Sequence, residues 1–223
     1  MKRIFILIIP ILVLFSCKKE NNTPRIETIS KGSKWGLQIG SSYSDVYAQL
    51  QQLGKEKNVN DVDLVKQQSF SNPDEIKNRV TFYNLISLET NTGKLERVTI
   101  QFDGDKIISI DAGSALPKES PKWPLDVPDE IAIYKNDPIN ALYTKLKAIY
   151  QIPAYKNYQI TLPGKPLGKP FDPAMANYEE WAFSFFMDVK PGKTGRSSVR
   201  LYFKNGKLSK IKHEYEEFDV YNS

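Results

Sequence analysis

The sequence predicts an α+β fold of two tandem units, each a helix packed on a three- to four-stranded antiparallel meander. Three observations predict it. Two amphipathic helical stretches recur at an offset of 96 residues. Two sets of alternating strands recur at an offset of 101. Prolines 117, 121, 124 and 128 punctuate the stretch between the copies. Self-similarity at a fixed spacing marks a repeated supersecondary unit.

The N-terminus reads as a targeting segment. Lys2 and Arg3 precede an almost wholly apolar run from Ile4 to Phe15, interrupted by Pro10. About a dozen residues fall short of the ~20 that span a bilayer as a helix. A basic start, a short apolar core and an abrupt polar exit describe a signal peptide. Leu14-Phe15-Ser16-Cys17 resembles the lipobox of bacterial lipoproteins. That resemblance implies cleavage before Cys17 and a lipid on its sulfur. The Cys-Lys-Lys-Glu continuation is similar to lipoproteins of the Bacteroidota. Residues 1–16 are then signal, 17–34 a polar tether, 35–122 the first unit and 123–223 the second. The resemblance also implies a cell-envelope location, anchored to the outer membrane and facing either the periplasm or the surface.

The helices follow from spacing. Tyr43, Val46, Tyr47, Leu50 and Leu53 fall at i, i+3, i+4, i+7 and i+10, which puts them on one face. Ile139, Leu142, Tyr143, Leu146 and Ile149 repeat that pattern. Ser42 with Asp45 forms a capping-box signal, and Asp137-Pro138 reads as N-cap and first helical residue.

The strands follow from alternation. Val80–Leu88 is matched by Trp181–Val189, and Arg97–Phe102 by Ser198–Phe203. Asp103-Gly104 and Asn205-Gly206 are hairpin turns, because Gly and Asn accept positive φ. Ile107–Ala112 and Leu208–Tyr215 complete the meanders. Parity assigns Val80, Phe82, Ile86, Leu88, Val98, Ile100, Phe102, Ile108 and Ile110 to one inner face. It assigns Trp181, Phe183, Phe185, Met187, Val199, Leu201, Phe203 and Ile211 to the other. The second copy has a longer connection, where Pro163, Gly164, Pro166, Gly168 and Pro170 exclude regular structure. It reads as an ordered surface loop, either a plain solvated connection or a contact point for a partner.

Ile39-Gly40-Ser41-Ser42-Tyr43-Ser44-Asp45-Val46, followed by Leu50 and Leu53-Gly54, resembles the helix start of the SmpA/OmlA (BamE-like) lipoproteins. Gly40, Ser42, Val46 and Leu53-Gly54 carry the likeness. The closing Leu-Gly comes a helical turn late, and the second copy has Asn136-Asp137-Pro138 in place of Gly-Ser-Ser. The secreted β-lactamase-inhibitor proteins are similar in carrying such a unit twice. Both resemblances imply a non-enzymatic protein, one kind scaffolding membrane assembly and the other blocking enzymes. Fold alone does not decide function.

Catalytic chemistry finds little support in the residue inventory. Cys17 is the single cysteine, and lipidation removes it as a nucleophile or ligand. His213 is the single histidine and reads as a half-buried strand residue. No Gly-x-Ser-x-Gly elbow is present. Asp61 with Asp63, Glu179-Glu180, and Glu214, Glu216 and Glu217 are carboxylate pairs on lysine-mixed segments, read as solvated charge. Gly192-Lys193-Thr194 echoes a phosphate loop but joins two strands. No metal, no cofactor and no enzymatic activity are expected.

The formal charge is +5. Losing Lys2 and Arg3 leaves 29 basic against 26 acidic residues, about +3, with no like-charge run. Nucleic acid is not an expected partner. Outward parity gives Tyr83, Arg200 and Tyr202 to the solvent face, and Tyr155 and Tyr158 fall in the long second connection. Tyr and Arg on an exposed face suit a protein contact. The expected function is therefore a lipid-anchored, non-catalytic protein-interaction module of the assembly, inhibitor or immunity type. A lipoprotein binding carbohydrate or a small ligand through the Tyr150–Tyr178 stretch is the alternative. A broad, shallow Tyr/Arg face would favour the first, and a deep aromatic pocket the second.

Overall fold

A computed structural model describes residues 24–90, 95–113 and 118–219. The signal segment and Cys17 lie outside the described residues. In chain order come β1 (Arg25–Ile29), β2 (Ser33–Lys34), β3 (Leu37–Gln38), α1 (Tyr43–Lys57) and β4 (Asp61–Leu64). The first meander is β5 (Leu85–Thr90), β6 (Arg97–Asp103) and β7 (Lys106–Gly113), followed by β8 (Lys118–Glu119), β9 (Lys122–Trp123) and β10 (Ile133–Tyr134). Then come α2 (Ile139–Ile149), β11 (Tyr158–Thr161) and β12 (Lys165–Pro166). The second meander is β13 (Glu180–Lys190), β14 (Lys193–Lys204) and β15 (Lys207–Asp219).

The expectation of two tandem helix-on-meander units is overturned. The chain is mostly β, about 45% strand against 20% helix, with two α-helices and large antiparallel sheets among the described residues. Each helix covers the meander of the other half. Val46, Tyr47, Leu50 and Leu53 of α1 pack with Trp181, Phe183, Val199 and Leu201 of the second meander. Leu142, Leu146 and Ile149 of α2 pack with Ile86, Leu88, Val98 and Ile100 of the first. The sheets exchange strands as well. β4 joins the six-stranded sheet β1-β15-β14-β13-β4-β12, and β11 joins the five-stranded sheet β11-β5-β6-β7-β8.

The exchange has a local cause at each helix start. Gly40 N–H donates to the Leu208 carbonyl at 2.8 Å, and Leu208 N–H to Ser41 at 2.9 Å. This ties the start of α1 to the β14–β15 turn. In the other half, Ile107 N–H donates to Asp137 at 2.9 Å, and Ile139 N–H to Asp105 at 2.7 Å. A helix docked on a hairpin turn lays its apolar stripe along that hairpin's sheet. Periodicity reports the stripe but not which sheet receives it.

Much of the local chemistry holds. Ser42 and Asp45 form the capping box of α1. Asn205 and Gly206 both have positive φ, as a type I′ turn requires. Elsewhere the structure departs from the pattern. Val80–Phe82 is a short 3-10 turn, and the strand begins at Leu85. A bulge between Gln101 and Phe102 flips parity, so Ile107 is buried and Ile108 is 45% exposed. An equivalent bulge lies between Tyr202 and Phe203. Pro138, not Asp137, precedes α2; the Asp137 carboxylate instead accepts from Tyr134 N–H and pairs with Lys145. Arg25–Ile29, within the stretch read as a tether, pairs with β15.

Candidate functional site

Each strand of the second meander is five residues longer than its counterpart: 11, 12 and 13 against 6, 7 and 8. α1 covers only the near part. The last five residues of β13, Phe186 to Lys190, are all exposed. At ~3.3 Å per residue the sheet projects about 17 Å past its core. Met187, expected on the inner face, is 37% exposed for that reason.

This arm is apolar on both faces. Phe186, 60% exposed, meets Phe218 edge-on with ring centroids 6.4 Å apart. Met187 and Val189 lie on the opposite parity. The arm is also well built. Arg196 pairs with Glu216 across β14 and β15. Tyr215 lies over Gly195 so closely that a Cβ there would meet its hydroxyl at 2.5 Å. The residue at 195 therefore has to lack a side chain for that ring to lie flat on the strand.

Among the described residues, one edge of the arm is unpaired. β4 pairs with β13 only at Trp181 and Ala182. The Glu180 carbonyl accepts from Val65 N–H at 3.0 Å, so Glu180 faces β4. By the alternation of antiparallel ladders, Ser184, Phe186 and Asp188 aim their N–H and C=O groups the same way, past the end of β4. A groove of about 430 Å³ borders this edge, lined by Lys57, Asn58, Val59, Asn60, Asp61, Asp63 and Phe183 to Phe186. Asp61 and Asp63 share one face of β4. Burial raises both carboxyls above the usual range, and the charge of Asp63 adds to the rise at Asp61.

Arg200 and Tyr202 lie near the base of the arm on the outer face. Arg200 pairs with Glu180 at 2.6 Å, and the Lys210 ammonium sits 4.0 Å from the Tyr202 ring. Tyr202 also lines an open cleft of about 550 Å³ with Lys66, Gln68, Tyr178 and Glu179. The structure does not bring the other expected contact residues to this surface. Tyr83 is fully buried, because it follows a 3-10 turn instead of continuing a strand. Tyr158 is 2% exposed in β11, and half-buried Tyr155 packs with it against Trp123. Tyr150 is buried as well, its hydroxyl donating to the Tyr158 carbonyl. His213 sits half-buried with Nε2 3.0 Å from Ser197 Oγ and its ring against Trp35. Burial, then the nearby Lys34 charge, holds its imidazole below the ordinary value.

The Pro/Gly connection is a seam, not a surface flap. Leu162 is buried in one core and Leu167 in the other. Between them Lys165 is 1% exposed, its Nζ donating to Tyr47 Oη at 2.6 Å and the Pro166 carbonyl at 2.8 Å. Burial pushes its ammonium down to about 8, against the opposing pull of Asp172 and Asp61. Asp172, also 1% exposed, accepts from Arg79 Nε at 3.0 Å, Arg79 Nη2 at 2.8 Å and Tyr83 Oη at 3.1 Å. Both buried charges are thus held by hydrogen bonds that reach from one core to the other, which suits a clasp between them. Sequence reasoning missed these residues, since a lysine among prolines and glycines carries no burial signal.

No protein-family model matches the chain, and no curated protein or solved structure does.

Proposed function

We propose that this chain is a lipid-anchored envelope protein working as a non-catalytic protein-interaction module, with the projecting β13–β15 arm as its contact surface. The observation that carries the reading is the arm itself: three strands extended past their core, an unpaired edge, and Phe186, Met187, Val189 and Phe218 exposed together. Phe186 and Phe218 meet on one face and Met187 and Val189 lie on the other, and exposed apolar patches on a folded chain mark contact sites. An open strand edge is a template for pairing with another chain. The Arg200/Tyr202 face widens the same surface. The carbohydrate alternative has less support, since Tyr150 and Tyr158 are buried and the clefts are open and shallow.

The lipid anchor rests on the lipobox-like Leu14-Phe15-Ser16-Cys17. β1, the first described strand after that stretch, pairs with β15, and β13 lies two strands further along the same sheet.

The test is site-specific photo-crosslinking in native envelopes. A photoreactive residue at 186 is expected to give discrete protein adducts. The same residue at 106, on the turn of the other meander, is expected to give none. Adducts of equal yield from both positions, or none from 186, would overturn the assignment of the arm.

A further inference from the structure

Resting on the lipid-anchor part of that reading, we infer that the tip of the β13–β14 hairpin is a second membrane contact, seated among the headgroups of the bilayer that holds Cys17. Anchor and arm point the same way. β1 pairs antiparallel with β15, Arg25 opposite Tyr215 and Ile29 opposite Ile211. β15 runs outward along the arm and ends with Asp219 opposite Lys193 at the tip. The backbone therefore enters β1 from the tip side. Arg25 lies level with the root of the arm, since Tyr215 faces Ser197 and Ser197 faces Phe185. Cys17 stands eight residues before Arg25. That lead reaches at most ~28 Å when fully extended. From the same root the arm projects ~17 Å, more than half of it. A lipid at Cys17 thus holds the root close enough to the bilayer for the tip to meet it.

The chemistry of the tip suits an interface. Val189 is the extra residue of a bulge between Asp188 and Lys190, and it is 41% exposed. Phe218, opposite Thr194, is 39% exposed at the same level. Pro191 is exposed at the turn, with Lys190 and Lys193 facing each other across it. Lysines among apolar neighbours fit headgroup depth, where their stems lie along lipid and their ammonium groups stay in water. Apolar side chains stand on both faces of the arm. A headgroup layer closes around a projecting tip on every side, whereas a single protein surface covers one face. Depth is limited as well. Beyond β4 the outward N–H and C=O groups of β13 lack ladder partners among the described residues, and hydrocarbon would leave them unsatisfied. Interfacial seating of about 5–10 Å takes in only the last two or three residues of each strand. Phe186 then stands clear at the membrane surface, within reach of a protein partner. The lipid holds the chain, and the tip sets its orientation.

The test uses the full-length chain purified from membranes and reconstituted in vesicles of phosphatidylethanolamine and phosphatidylglycerol. Val189→Cys and Lys204→Cys each carry a polarity-sensitive fluorophore, the second at the opposite end of β14. Vesicles should shift the emission of the probe at 189 to the blue, and a quencher fixed to the lipid headgroups should dim it. The probe at 204 should show neither effect. A probe on Phe218→Cys should respond like the one at 189. It should lose both responses when Val189→Asp is added, while the protein still floats with the vesicles. A probe at 189 that responds no more than the one at 204 overturns the inference and leaves the whole arm to a protein partner. Responses at 218 that survive Val189→Asp overturn it too. The parent chain, with Cys17 as its single cysteine, separates the two readings. Fluorophore on the parent, with no flotation, means that the sulfur carries no lipid, and the anchor falls together with this inference. An unlabelled, floating parent with no response at 189 sinks the tip contact alone.

Discussion

Replacing Lys165 with methionine should stabilise this protein, although the lysine makes two good hydrogen bonds. Its ammonium is 1% exposed, and burial holds its pKa near 8 instead of 10.5. A folded-state pKa below the unfolded one means that the unfolded chain binds the proton more tightly. Stability is therefore lowest where the lysine is charged in both states, below pH 8. It rises with pH between about 8 and 10.5, where only the unfolded chain stays protonated. At 1.36 kcal/mol per unit, integrating from pH 7 to pH 10 gives a gain of roughly 2–3 kcal/mol for the parent relative to a variant without the group. Methionine fills similar volume without a charge. The Tyr47 hydroxyl keeps the Pro166 carbonyl at 2.7 Å and the Lys169 carbonyl at 2.9 Å, so no buried donor is orphaned. The assay is urea unfolding of parent and Lys165→Met at pH 7, 8, 9 and 10. The variant should be the more stable at pH 7, and its advantage should shrink by roughly 2–3 kcal/mol at pH 10. A variant less stable at pH 7, or an advantage independent of pH, would refute the reasoning.

Asp172→Ala should have the opposite effect. It strands the Arg79 guanidinium, whose side chain is 13% exposed, and should cost about 3–5 kcal/mol in urea unfolding. Asp172→Asn, which keeps an acceptor oxygen, should cost less. Gly54→Ala lies within a helix, where alanine ordinarily stabilises by ~1 kcal/mol. Here a Cβ would meet the Val59 backbone carbonyl at 2.6 Å, so the midpoint temperature should fall instead, by the equivalent of ~1–3 kcal/mol. Under the proposed anchoring, Cys17→Ser should move the protein from the membrane pellet to the soluble fraction. Retention in the pellet after a salt wash would count against the lipid anchor.

Local structure was legible wherever neighbouring residues decide it. The capping box at Ser42 and Asp45, the Asn205-Gly206 turn and the stripe from Tyr43 to Leu53 are all short-range chemistry. The hairpins were legible for the same reason. Two one-residue bulges were not, because a bulge is decided by cross-strand pairing, and a single extra residue moves Ile108 from the inner face to the outer one. Of the candidate contact residues, Arg200 and Tyr202 lie where strand parity put them. Tyr83 does not, since the strand it was assigned to begins two residues after it. The projecting arm was half legible. The longer alternation of the second meander is written in the chain, but only the packing shows that its far end, Phe186 to Lys190, lies exposed beyond α1.

By itself, then, the sequence determined the two helices, the two meanders, their hairpin turns and the cap of α1, because each depends on contacts within a few residues. The tertiary structure alone decided which helix covers which sheet. It alone drew β4 and β11 across to the opposite halves, buried Lys165 and Asp172 at the seam, and left the β13 edge open. The physical reason is that an apolar stripe carries no address. Burial is non-directional, so either sheet would accept either helix. The choice falls to the hydrogen bonds that dock Gly40 on Leu208 and Asp137 on Ile107, more than a hundred residues apart in one case and thirty in the other.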